Sequence, residues 1–127
     1  MQAVLLVALG GAVGSVLRYE TGALVLRQVG VAQFPWGTFT VNVLGCAIAG
    51  TLAGLAERHA FLTAEMRLLL FTGFLGGFTT FSAFANETVA VWRSGAGAVA
   101  AVNVAVSVFV CIAAVVVGRG LVAAVLK

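Results

Sequence analysis

Residues Leu68 to Trp92 read LLLFTGFLGGFTTFSAFANETVAVW. The run is long and apolar enough to cross a membrane, for which about 20 residues suffice. It is not the sequence of a uniform helix. Gly73, Gly76 and Gly77 lack a Cβ and loosen helix, and the β-branched Thr79 and Thr80 follow at once. A break is expected near residues 75–80. Backbone left unpaired at membrane depth must find partners in protein, ions or water, and transporters place ion sites at such breaks. The plainer reading is that these glycines let two helices approach closely.

Working outward, three more apolar runs cover about residues 3–26, 37–56 and 96–121. With 68–92 they predict an all-α membrane protein, a single four-helix transmembrane domain over residues 1–127. The connections are short. Arg27 to Trp36 contains the only proline, Pro35; Glu57–Arg58–His59 opens a polar loop with Thr63, Glu65 and Arg67; Arg93–Ser94–Gly95 makes a tight turn. The first run is expected to be a retained span, since no basic residue precedes it and a secretory signal starts with a positive segment.

Composition agrees. Hydrophobic residues make up 62% and charged residues 9%, with a mean hydropathy of +1.16; a soluble domain carries about 25% charge. A net charge of only +3 on so apolar a chain excludes a disordered one. Six Arg and one Lys are scattered and form no basic patch. They fit the headgroups of a lipid bilayer and give no footprint for nucleic acid. Cys46 and Cys111 lie inside apolar runs and make no disulfide framework. The sequence carries no metal-ligand cluster, nucleophile–base pair or phosphate loop, and His59 stands alone in a loop, so neither an enzyme nor a cofactor is expected.

Four spans put both termini on one side. That side holds Arg58, Arg67, Arg119 and Lys127; the other holds Arg27, Arg93 and, if it reaches outward, Arg18. The positive-inside rule has almost nothing to act on. Either a partner or a single charge sets the orientation, or the chain inserts both ways, which leads to an antiparallel homodimer. Four short helices are also too few to enclose a pore, so an oligomer is the natural completion. Gly10 and Gly14, Gly50 and Gly54, and Gly73 and Gly77 are each spaced by four, the small-residue pattern of close helix packing.

Polar residues at membrane depth are costly and functional by default. Thr38, Asn42 and Cys46 recur every four residues in the second span, and Asn103, Ser107 and Cys111 do the same in the fourth. Each trio lies along one helix face. Thr79, Thr80, Ser82, Asn86, Glu87 and Thr88 line the third. Interhelical hydrogen bonding explains one such stripe; two stripes facing a polar third span make a pathway. Its donors are hydroxyls and the Asn42 and Asn103 amides, which turn a proton toward an anion. A proton-coupled carrier keeps a deep carboxylate and a cation filter rings of carboxylates or carbonyls, so the chemistry leans to an anion or a small neutral solute. Phe81 and Phe84 share a helix face; they are either packing groups or, through their positive ring edges, substitutes for the hydration shell of a small anion. Arg18 beside Tyr19 is either an interface anchor or a vestibule charge that draws anions inward.

The motifs now carry a resemblance. Gly10–Gly11–Ala12–Val13–Gly14 with Arg18–Tyr19, then Gly37–Thr38–Phe39–Thr40–Val41–Asn42 with Gly45 and Gly50, then Thr72 through Phe84, resemble the first, second and third helices of the Fluc (CrcB) fluoride channels over the whole chain. The resemblance implies a dual-topology antiparallel homodimer in the cell membrane of a prokaryote. Two pores would export cytoplasmic fluoride passively, giving fluoride resistance. It implies that Phe81 and Phe84 contact fluoride by their ring edges and that Asn42 orients the pore. Thr38, Ser82, Glu87 and Ser107 would line the polar track, with Arg18 in the vestibule and Asn103 and Cys111 as secondary positions on the pore helix. Gly76 and Thr79 would offer backbone carbonyls to a central structural Na⁺. The chain departs from the family's pattern at Ala83, where Thr is usual, and at Asn103 and Cys111, where Tyr and Ser occur. Two other readings compete: a proton-coupled four-span drug or metabolite exporter, whose first-span carboxylate would have to be Glu20, and a non-conducting assembly subunit.

Overall fold

In lipid every backbone polar group has to be satisfied within the protein, so apolar runs of this length fold as helices. The computed structural model describes residues 1–30, 32–58 and 62–126; His59 and Lys127 lie outside them. The elements are α1 (Gln2–Val29), α2 (Trp36–Arg58), α3 (Ala64–Arg67), a π-helical segment (Leu68–Leu75), α4 (Gly76–Phe78), α5 (Phe81–Arg93) and α6 (Gly97–Val125). The segments from α3 to α5 are consecutive parts of one membrane-length stretch, Ala64–Arg93, and α1, α2 and α6 are the other three of that length. The helices run a few residues past the expected ends. Arg27, Arg58 and Arg93 sit in last turns, where a cation meets the negative end of the helix dipole.

Glycine contacts fix how the helices pair. Gly10 lies against Leu69 and Gly73, and Gly14 against Phe74 and Phe78, so α1 runs parallel to the third span. Gly50 lies against Val115 and Gly54 against Arg119 and Val122, so α2 runs parallel to α6. A Cβ on Gly14 would collide with the Phe74 carbonyl, and one on Gly50 with the Val115 carbonyl; backbone cannot swing aside as a side-chain tip can. The spacing-of-four glycines are thus contact residues between parallel neighbours. At one end Glu57 pairs with Arg119, and Arg58 Nη1 donates to the Leu126 carbonyl at 2.8 Å, tying the end of α2 to α6.

Two features interrupt regular α-helix. Leu68–Leu75 is π-helical, with hydrogen bonds reaching five residues instead of four. Hydrophobic periodicity does not separate the two helix types, and the sequence reading did not anticipate it. Thr79 (φ −87°, ψ 155°) and Thr80 (φ −151°, ψ 115°) are extended. The Thr80 hydroxyl then caps α5 by accepting from the Ala83 N–H at 3.2 Å, as N-terminal threonines do.

The buried side chains include Val41, Leu75, Phe78 and Ala100, and two polar ones, Asn103 and Ser107. Asn103 is 0% exposed. Its Nδ2 donates to Thr88 Oγ1 at 2.8 Å, and its Oδ1 accepts from Ser107 Oγ at 3.2 Å. Truncating it strands the Ser107 hydroxyl, while Thr88 Oγ1 keeps its bond to the Phe84 carbonyl at 2.7 Å. Asn103→Ala is expected to lose about 1 kcal/mol or more of stability, the scale of interhelical bonds in membranes, seen as a lower midpoint of thermal unfolding in detergent.

Candidate functional site

The parallel register of α2 and α6 brings the two polar stripes together. Gly50 meets Val115 and Gly54 meets Arg119 at one fixed separation in sequence. Carried back one turn at a time, the same separation pairs Cys46 with Cys111, Asn42 with Ser107 and Thr38 with Asn103. The first two pairs line one cavity of about 260 Å³. At the third pair α5 stands between the helices: Thr38 Oγ1 donates to Glu87 Oε1 at 2.8 Å, and Asn103 bonds the adjacent Thr88. The ladder is closed by thiols at one end and split by α5 at the other.

Asn42 holds the extended pair. Its Oδ1 accepts from the Thr80 N–H at 3.0 Å and its Nδ2 donates to the Thr80 carbonyl at 3.3 Å. A side-chain amide thus matches a backbone amide, donor to acceptor and acceptor to donor. This diverts two helical donors. In a continuous helix the Thr80 N–H would serve the Gly76 carbonyl and the Ala83 N–H the Thr79 carbonyl. Here the first goes to Asn42 and the second to the Thr80 hydroxyl. Both carbonyls are freed by one local event. Gly76 itself is exposed, and a Cβ there would meet the Phe71 carbonyl at 3.9 Å, an ordinary van der Waals contact.

The 260 Å³ cavity is walled by Asn42, Ser107 and the two cysteines on one side and by Thr79 to Phe81 and Phe84 on the other. The Phe81 and Phe84 rings stand 5.5 Å apart, tilted by 41°. Phe81 is 79% exposed, so that wall opens onto whatever lies against the chain. A second cavity of about 350 Å³ is lined by Arg18, Tyr19, Thr38, Ala83 and Glu87. Thr80 lines both cavities. Glu87 Oε2 is buried and finds no hydrogen-bond partner among the described residues.

Of the residues singled out in the sequence, Asn42, Phe81, Phe84, Ser107, Cys111 and Thr79 share the first cavity, and Thr38, Glu87 and Arg18 share the second. Ser82 stands apart on an exposed face, 3.1 Å from the Thr80 hydroxyl. Asn103 is a structural tie behind the first cavity and is not in its lining. Ala83 lines the second cavity together with Glu87. Two residues were missed as site members. Thr80 joins the cavities, and its signal was a threonine one position before the helix restarts. Cys46 completes the second-span stripe in which it had already been noted.

The sequence model of the family described as CrcB-like protein, Camphor Resistance (CrcB), matches residues 5–119. A protein of Methylobacillus flagellatus named fluoride-specific ion channel FluC is 51% identical over 110 residues, covering 87% of this chain and 86% of its own. One of the same name from Rhizobium etli is 51% identical over 113 residues, covering 89% and 90%. A third, from Phocaeicola vulgatus, is 47% identical over 95 residues, covering 75% and 77%. The chain, with four membrane-length helices, is therefore a multi-pass membrane protein and belongs to the CrcB-like protein family.

Proposed function

We propose that the chain is a passive, fluoride-selective ion channel of a prokaryotic cell membrane. The observation that carries this reading is the single cavity formed by Asn42, Ser107, Phe81 and Phe84. Fluoride is small and strongly hydrated, and shedding its water is the main barrier to entry. The second N–H of the Asn42 amide and two tilted ring edges offer positive ends of dipoles in place of that water, and the Ser107 hydroxyl, which donates to Asn103, joins them by turning its proton. The lining holds no carboxylate, which suits an anion. Arg18 in the neighbouring cavity supplies the charge that draws an anion inward, and Thr38 and Glu87 continue the polar track toward it. The names of the relatives support the same reading.

The exposed Phe81 and the exposed Gly76 support a second copy of the chain as the missing wall. We read Thr79–Thr80 as the break of the third span and the assembly as an antiparallel homodimer with two pores, permitted by the nearly even distribution of Arg and Lys. The freed Gly76 and Thr79 carbonyls are oxygen donors of the kind a hard cation takes, so these two residues would hold a structural Na⁺, which would offset the repulsion between carbonyls brought together by two copies.

The test is fluoride efflux from liposomes holding the purified chain, read by a fluoride electrode with valinomycin present and chloride run in parallel. Fluoride leaves and chloride stays. Phe81→Ile removes an aromatic contact worth about 0.5–1.5 kcal/mol and slows release by up to about tenfold. Folded, dimeric protein that releases no fluoride overturns the reading. Release that needs a proton gradient would point to the exporter class instead.

A further inference from the structure

Cys46 and Cys111 line the first cavity, and the proposed function gives their thiols no task. They sit on neighbouring parallel helices, one turn from the tight Gly50–Val115 contact, and both line the 260 Å³ cavity. The two thiols are free, and the register set by the Gly50–Val115 contact places them level. Their helices are held rigidly, because the glycine contacts below them leave no slack. Two cysteines level with each other in one largely apolar wall are a ligand set for a soft cation.

Coordination number and charge narrow the ion. Among the described residues no third His, Cys, Asp or Glu joins the pair. Zinc, which takes four ligands, is poorly served. A linear two-coordinate d¹⁰ ion is satisfied by two sulfurs. A monovalent ion on two thiolates leaves a net negative charge in a low-dielectric wall, which is costly. A divalent one leaves none. We infer that Cys46 and Cys111 form a shared bis-thiolate site for a soft divalent two-coordinate cation, with mercuric ion as the probe, and that its occupancy closes the cavity. With mercuric chloride, two S–H and two Hg–Cl bonds break, two Hg–S bonds form, two protons and two chloride ions are released to solvent, and nothing is oxidised. Closure rests on the channel reading above; binding does not.

The experiment titrates purified, pre-reduced protein, freed of reductant, with mercuric chloride. One mercury per chain binds, two protons are released, and both thiols become unreactive to maleimide. Cys46→Ser and Cys111→Ser each release one proton and bind about 100-fold more weakly, since the gain from two thiols on one scaffold is lost. In liposomes the ratio of mercury-treated to untreated fluoride efflux falls toward zero for the natural chain. It recovers with a dithiol and stays near one for each serine variant. Two mercury ions per chain, or unweakened binding in either variant, overturns the shared site. Full binding with unimpaired efflux overturns the closure. Protein that passes no fluoride before treatment defeats the channel reading, while the stoichiometry and proton count still decide the site.

Discussion

Asn42→Asp is expected to slow fluoride release about 100-fold or more, with the protein still folded. Asp can accept from the Thr80 N–H as Asn42 Oδ1 does, but it has no donor for the Thr80 carbonyl. Two oxygens then face each other without a proton between them. An unsatisfied polar group of this kind costs about 1–3 kcal/mol, and each 1.4 kcal/mol is about tenfold. A carboxylate also stands in the wall of a cavity proposed to hold an anion, which adds repulsion where the local dielectric is low. Efflux from liposomes measures the loss, and size-exclusion chromatography with circular dichroism shows that helices and assembly survive. Unchanged release would remove Asn42 from the pathway and the extended pair with it.

Gly50→Ala is expected to be the most destabilising of the methyl additions. Its Cβ would fall on the carbonyl, carbonyl carbon and Cα of Val115, none of which moves without α6. Overpacking typically costs about 1–3 kcal/mol, and this contact with backbone belongs at the top of that range. Pushing α6 outward also parts the Cys46–Cys111 and Asn42–Ser107 pairs one and two turns away. Gly120→Ala is the control: the same methyl added in α6, the helix on which Gly50 packs, with nothing within 4 Å, expected to stay within about 0.5 kcal/mol of the natural chain. Thermal unfolding in detergent compares the two. Equal midpoints would mean that α2 and α6 are not held in the described register.

Much of this was legible in the sequence, because a bilayer asks for few things. The four spans follow from apolar length, and the close helix contacts follow from Gly10, Gly14, Gly50 and Gly54. The polar stripes follow from steps of four, which hold one face whatever the neighbours do. Register was not legible. Nothing in either stripe says that Asn42 lies level with Ser107; that comes from which glycine meets which carbonyl, a property of two helices at once. The role of Asn42 toward Thr80 was hidden for the same reason, because it joins residues of different spans through a backbone group that every residue has. Asn103 shows the limit of reading polarity alone. Its place in the stripe suggests the pathway, and its full burial with both ends of the amide engaged makes it a tie between α5 and α6.

The π-helical stretch Leu68–Leu75 has a consequence for descent. Its wider turns hold more residues per winding than an α-helix would over the same path. Deleting a single residue from it would let the stretch relax into ordinary α-helix over the same path, because the wide turns carry the surplus. Phe78, buried beneath Gly14 and Gly45, and Phe81 and Phe84 in the cavity would largely keep their faces. The same deletion from a regular α-helix such as α2 would rotate everything beyond by about 100° about the axis. Chains that share this architecture should therefore absorb a one-residue change of length in this stretch better than in the regular spans.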